Sequence, residues 1–184
     1  MKASNRIGVL TGGGDVPGLN SVIKSVVYRA TEMGREVIGI RKGWEGLTHM
    51  NPAEELDPAY LRALTRDNTR TIDRSGGTVL HTSRTNPTRI KESQLPPHLG
   101  SAERARLKKP DGSYDLTPVV LANVEKLGIG CLVVIGGDDT LGFAQALDRA
   151  GVPLIAVPKT MDKDRKSTRL NSSHIQKSRM PSSA

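Results

Sequence analysis

Three glycine-bearing turns carry side chains that could bind phosphate. The first is "TGGGDVPG" at residues 11–18, whose consecutive glycines permit a sharp turn and bring backbone N–H groups close to an anion. A helix beginning near Gly18 would add the positive end of its dipole. The stretch matches neither the GxGxxG nor the Walker pattern, so a plain tight turn is an equally valid interpretation.

The second turn is "IGGDDT" at residues 135–140, where two adjacent carboxylates follow an apolar run. Carboxylates repel phosphate unless a hard cation lies between them, so this pair favours a Mg²⁺ ion bridged to phosphate oxygens. The alternative is that Asp138 or Asp139 caps the helix that follows.

The third turn, "VPKTMD" at residues 157–162, places a lysine three residues before a carboxylate. Lys159 could hold a phosphoryl group as a point charge, and Asp162 could accept a hydroxyl proton. Arg84 in "HTSRTNP" adds a guanidinium suited to bidentate phosphate contact. Each piece alone also fits a surface loop or a solvated charge, but the four together favour phosphoryl transfer.

The segments that would position these residues alternate as in a parallel sheet with crossover helices, a Rossmann-like three-layer α/β fold. The predicted strands are "RIGVLT", "REVIGIRKG", "GGTVLHTSR", "CLVVIG" and "VPLIAV". Each candidate phosphate-binding turn follows one of these strands. Ligands of open α/β sheets bind at those strand ends, so one shared site is expected.

Four helices are predicted between the strands. Apolar residues between Leu19 and Ala30 follow helical spacing. A short helix is expected over 57–67 with Pro58 in its first turn, and another is expected to have Thr117 as N-cap. A fourth is expected over about 140–150. Residues 85–113 are polar and proline-rich and are predicted to be a long surface excursion.

Length and composition favour one soluble domain. The formal charge is +8, but the last 20 residues hold five of the 27 basic side chains and none of the 19 acidic ones. The remainder therefore carries only +3, which argues against nucleic-acid binding. A single cysteine, Cys131, and apolar runs too short for a membrane predict a cytoplasmic protein.

In this order, "IGVLTGGGDVPGLNSVIK", "GGTVLHTSR", "LVVIGGDDT" and "IAVPKTMD" resemble the N-terminal half of the phosphofructokinase family. The resemblance spans residues 6 to 162. It implies a truncated phosphofructokinase fold and Mg²⁺-dependent phosphoryl transfer to the 1-hydroxyl of fructose 6-phosphate in glycolysis. It also implies that the full-length parent is a homo-oligomer.

The resemblance assigns roles residue by residue. Asp162 would be the catalytic base, with Lys159 as a second catalytic group, and Asp138 would bind the metal. Thr160 and Asp162 would contact the sugar phosphate. The donor phosphates would be bound by Gly13, Gly14, Arg84, Gly137, Asp139 and Thr140.

Two positions favour pyrophosphate over ATP as the donor. The positions of Asp139 and Lys159 are typically glycine in ATP-using members, although lysine also occurs in some of them. A carboxylate at 139 adds volume and negative charge where the rest of ATP would pass. ATP remains the alternative donor.

The chain departs from the family pattern after "TMD". Residues 164–184 have no apolar period and suggest a disordered basic tail. They can also be encoded by a common sequencing-library adapter, so we expect the natural protein to be represented only over residues 1–163, an incomplete donor-binding domain. The 184-residue chain is then expected to be nearly inactive.

Three other functions fit parts of the sequence. "GGDDT" also resembles NAD and lipid kinases, but the first turn and "HTSRTNP" argue against them. A non-catalytic phosphate- or nucleotide-binding module would not need Asp162 beside a phosphate. A nucleic-acid binder depends on net charge that lies largely in the tail.

Overall fold

The computed structural model describes residues 5–159 of the chain. Its five-stranded sheet has the order β3-β2-β1-β4-β5. The strands are β1 (Arg6–Thr11), β2 (Glu36–Ile40), β3 (Leu61–Leu64), β4 (Ile129–Gly136) and β5 (Leu154–Pro158). The α-helices are α1 (Leu19–Glu32), α2 (Trp44–His49), α3 (Ser101–Leu107), α4 (Thr117–Lys126) and α5 (Asp138–Arg149). Short 3₁₀ helices span Ile72–Arg74 and Glu92–Gln94.

Strands β2, β1, β4 and β5 run parallel, as predicted, and β3 pairs antiparallel with β2 at one edge. Consecutive strand residues enter opposite cores: Val9 packs with α1, whereas Leu10 packs with α2, α4 and α5. Burial on both faces explains the continuous apolar runs. The predicted three-layer α/β architecture is therefore confirmed.

The helix predicted over 57–67 is wrong, because residues 61–64 form β3. Leu61 and Leu64 share a helical spacing, which also fits a strand buried on both faces. Leu61 joins the core beneath α2 and Leu64 joins the core beneath α1. Pairing with β2 in this buried position outweighed local helix propensity.

The strand predicted over "GGTVLHTSR" is also wrong, since residues 76–84 contain no strand. Gly77 and His81 have φ values of 74° and 56°, in the left-handed region that interrupts extended backbone. Leu80 is nevertheless fully buried. The segment packs on the sheet through this side chain rather than through strand pairing.

Residues 85–113 are more structured than the predicted surface excursion. They include α3, and Ile90 and Leu99 pack with Tyr114 and Leu116 in a small separate core. Thr117 is the first residue of α4 rather than its cap. Among the helices between residues 5 and 159, none is long and apolar enough to cross a membrane.

Candidate active site

The first glycine turn continues directly from β1 at the carboxyl edge of the sheet. The Gly12 N–H donates to the Ile135 carbonyl at 2.9 Å, which extends the pairing of β1 with β4. Gly13 has a φ of 80°, and Gly18, at the start of α1, has a φ of 95°. Glycine is favoured at both because other residues are strained in this region.

Thr140 packs against both the first turn and the second. Its side chain is 7% exposed. A Cβ added at Gly12 would lie 2.5 Å from Thr140 Oγ1, and one added at Gly136 would lie 2.5 Å from Thr140 Cβ. The two glycines are therefore required by packing against Thr140. Phosphate contact by Thr140 stays a prediction.

Asp138 and Asp139 occupy the first turn of α5, and both side chains are exposed at the sheet edge. Gly137 is the N-cap and supplies no capping side chain, and Gly18 likewise precedes α1 without a side-chain cap. Backbone N–H groups at such helix starts attract anions. Two uncapped helix N-termini thus accompany the glycine turns.

The two carboxylates are suited to a magnesium ion whose other ligands come from the phosphate donor and from water. Magnesium is usually bound through one or two carboxylates together with substrate phosphates and waters, rather than in an all-protein cage. Across residues 5–159, no group of three or more His, Cys, Asp or Glu side chains could hold a metal by itself. Asp138, with Asp139 beside it, is consistent with a cation completed by the donor.

Lys159 connects the third turn to the other two. Its backbone N–H donates to the Gly136 carbonyl at 3.0 Å, and its Nζ donates to the Gly14 carbonyl. A Cβ added at Gly13 would lie 3.3 Å from the Lys159 Nζ. The ammonium therefore lies across the first glycine turn. Burial lowers the pKa of Lys159, and the nearby negative charge of Asp15 opposes that change.

Arg84 differs from the residues of the glycine turns because its side chain is exposed. Within the described part of the chain it has no hydrogen bond or ion pair. The preceding residues are fixed, because Thr11 Oγ1 donates to the His81 carbonyl and Ser83 Oγ donates to the Lys42 carbonyl. Phosphate binding by Arg84 stays a prediction.

The structure joins Gly12, Gly13 and Gly14 with Gly136, Gly137, Thr140 and Lys159 at one edge of the sheet. Asp162 and Thr160 lie outside the described residues. Sequence reasoning missed Asp15 beside Lys159, and it missed the donation from the Trp44 indole to the Thr140 carbonyl. The lone tryptophan in "KGWEG", after a predicted strand, was the available signal for the second contact.

Comparison with known proteins gives close relatives. The Phosphofructokinase family model matches residues 6–171. A pyrophosphate–fructose 6-phosphate 1-phosphotransferase of Dictyoglomus thermophilum is 40% identical over 163 residues, covering 89% of this chain and 38% of the relative. The ATP-dependent 6-phosphofructokinase 3 of Streptomyces coelicolor is 41% identical over 160 residues, covering 86% and 38%.

Among solved structures, phosphofructokinase from Saccharomyces cerevisiae shares the fold, with a TM-score of 0.61 and 18% identity. The match covers 93% of this chain and 24% of that one. The chain thus spans less than two fifths of the length of the curated relatives above, at 38% of each.

Proposed function

Because the chain belongs to the phosphofructokinase family, we propose that its full-length parent transfers a phosphoryl group from pyrophosphate to the 1-hydroxyl of fructose 6-phosphate. The reaction uses Mg²⁺ and belongs to glycolysis. The observation that carries the proposal is the bridge from Lys159 to the first glycine turn, beside the two carboxylates of α5. It brings a cation, bare N–H groups and candidate metal ligands to one place, where a small anion would bind.

Each residue has a separate role in the proposed reaction. The N–H groups of Gly13 and Gly14 and the ammonium of Lys159 neutralise the phosphoryl oxygens in the transition state. Asp138 holds Mg²⁺, which would supply charge neutralisation to the donor phosphates. Asp162 takes the proton of the attacking hydroxyl.

Pyrophosphate is favoured as donor because of what lies around the phosphate position. Lys159 extends across the glycine turn, and Asp139 is exposed in the first turn of α5. A nucleotide must carry its α-phosphate and nucleoside past this acidic side chain, whereas pyrophosphate ends before it. The negative charge of Asp139 opposes the α-phosphate that only the longer donor carries.

ATP is the second candidate donor. The relative from Streptomyces coelicolor, at 41% identity, is named as ATP-dependent, and its identity is close to the 40% of the pyrophosphate-named relative. Overall similarity therefore favours neither donor. The choice of pyrophosphate over ATP therefore depends on the residues at positions 139 and 159.

The deciding experiment compares kcat/KM for pyrophosphate and ATP in the full-length parent, with saturating fructose 6-phosphate and Mg²⁺. We expect pyrophosphate to be the better donor. An equal or higher value for ATP refutes the donor assignment, and inactivity with both donors refutes the reaction. Replacing both Asp139 and Lys159 by glycine should shift preference toward ATP. The single variant Asp139→Asn keeps the volume and separates the effect of charge from that of size.

The 184-residue chain itself is proposed to have little activity. It covers only 38% of its curated relatives, and Ile155 on edge strand β5 is 57% exposed. We expect the missing part of the parent to cover this apolar surface. Robust turnover by the purified 184-residue chain would contradict this proposal.

A further inference from the structure

Trp44 of α2 contacts the N-terminal end of α5 within the core that the two helices share. It is the only tryptophan of the chain and is 3% exposed. Its indole Nε1–H donates to the Thr140 carbonyl at 3.2 Å. Its ring packs edge-on against Phe143, with 4.8 Å between ring centroids and an interplanar angle of 80°. Both contacts are with the first two turns of α5.

The helix that carries Trp44 is itself firmly placed. Gly43, which precedes it, has a φ of 57°, and a Cβ there would lie 2.9 Å from the Thr11 carbonyl oxygen. At the other end of α2, Asn123 of α4 donates its side-chain N–H to the Leu47 carbonyl at 2.8 Å. The indole therefore projects from a fixed support toward α5.

The first turn of α5 is thus held by two contacts at one residue. The Thr140 side chain packs against Gly12 and Gly136, while the Thr140 carbonyl accepts the indole N–H. Asp138 lies only two residues earlier. A rotation or shift of this turn would displace the carboxylate and the N-terminal N–H groups together.

We propose that Trp44 is a positioning residue for phosphoryl transfer, which holds Asp138 at the glycine turn through its hydrogen bond to the Thr140 carbonyl. The inference rests on the proposed function of Asp138 as a magnesium ligand. Trp44 acts through α5 and need not touch the donor. Loss of the indole N–H leaves a buried carbonyl with one donor fewer and loosens the turn.

The test replaces the indole N–H without changing the shape of the side chain. Site-specific Trp44→benzothienylalanine in the full-length parent substitutes sulfur for the N–H group. We expect the Mg²⁺ concentration for half-maximal rate to rise about five- to tenfold, as for the loss of one hydrogen bond, with a smaller change in kcat. Phe143→Leu is the matched control, because it disturbs the same aromatic pair and leaves the hydrogen bond intact. It should lower thermal stability without changing the Mg²⁺ dependence.

Two results overturn the positioning role while leaving the proposed function intact. One is an active parent whose Mg²⁺ dependence is unchanged by the isostere. The other is an equal change in the Phe143→Leu variant, which would assign the effect to packing.

If the parent fails to phosphorylate fructose 6-phosphate, the proposed function fails separately. Calorimetric titration of the same three proteins with magnesium pyrophosphate then decides the inference. Weaker binding by the isostere alone supports it, and equal binding by all three refutes it.

Discussion

Two regions at the carboxyl edge of the sheet are held in place in different ways. The glycine edge, residues 11–14, 136–140 and Lys159, is held by close packing between backbone and side chains. The arginine segment, residues 76–84, is fastened by hydrogen bonds to backbone carbonyls and leaves Arg84 exposed. Substitutions in the glycine edge should therefore affect both stability and rate, whereas changes at Arg84 should affect donor binding alone.

The largest effect is expected at Asp138, the proposed metal ligand of the glycine edge. Asp138→Asn in the full-length parent keeps the size of the side chain but removes the charge that would bind Mg²⁺. We expect kcat/KM for the donor to fall by about 100- to 1,000-fold, as for the loss of one electrostatic group in a catalytic site. Steady-state kinetics over a range of Mg²⁺ concentrations measures this. Asp148→Asn, at the far end of α5, is the control, and wild-type rates for Asp138→Asn would contradict the metal assignment.

Alanine at Gly12 or Gly136 should show how tightly the glycine edge is packed. Each new Cβ would meet Thr140, and we expect the free energy of unfolding to fall by about 1–3 kcal/mol. Gly142→Ala in α5 is the control, since a Cβ there has nothing within 4 Å. It should be neutral or stabilising. Chemical denaturation measures all three variants.

Combining Thr140→Ala with each of the two glycine substitutions tests which atoms of Thr140 cause the clash. The nearest atom to a Cβ at Gly12 is Thr140 Oγ1, whereas the nearest to a Cβ at Gly136 is Thr140 Cβ. Thr140→Ala removes Oγ1 and Cγ2 and keeps Cβ, which would lie 3.1 Å from a Cβ at Gly12 but 2.5 Å from one at Gly136. It should therefore relieve Gly12→Ala more than Gly136→Ala. Equal relief of both would show that the described packing is wrong.

Arg84→Ala tests whether the arginine segment serves binding alone. The side chain has no hydrogen bond or ion pair within residues 5–159, so the thermal unfolding temperature should not change. The KM for the donor should rise about tenfold, as for loss of a charged hydrogen bond. Arg84→Lys should recover only part of the affinity, because an ammonium lacks the bidentate geometry. An unchanged KM together with a lowered unfolding temperature would show that Arg84 serves stability rather than donor binding.

The smallest effect is expected from the charge beside Lys159. The Asp15 carboxylate raises the pKa of Lys159 against the lowering caused by burial. Asp15→Asn removes the negative charge, so the ammonium should lose its proton at lower pH. The alkaline limb of the pH–rate profile should move in the same direction. Asp15→Glu keeps the charge and should leave that limb near its wild-type position, and a shift to higher pH in Asp15→Asn would contradict the assignment.

The convergence of the glycine edge was predictable because it follows from strand order. Apolar runs buried on both faces mark the parallel strands, and the carboxyl ends of such strands lie at one edge. That reasoning alone predicts that Gly13, Gly137 and Lys159 lie together. It required only the local pattern and the polarity of the strands.

The remaining features depend on contacts between distant parts of the chain. Leu61 and Leu64 fit a helix or a doubly buried strand, and only the free edge of β2 decided between them. The hydrogen bond from Trp44 to Thr140 joins residues 96 positions apart. Left-handed backbone at His81 interrupts a predicted strand, and positive φ is uncommon at any residue other than glycine, so the sequence pattern did not indicate it.

Protection of Lys159 from an amine-reactive reagent tests the central claim most directly. The full-length parent is labelled with and without magnesium pyrophosphate, and modification of each lysine is read by mass spectrometry, with exposed Lys126 of α4 as internal reference. A donor bound across the three turns should suppress labelling of Lys159 and leave Lys126 unchanged. Unaltered labelling of Lys159 at saturating magnesium pyrophosphate would show that the glycine edge does not bind the phosphoryl donor.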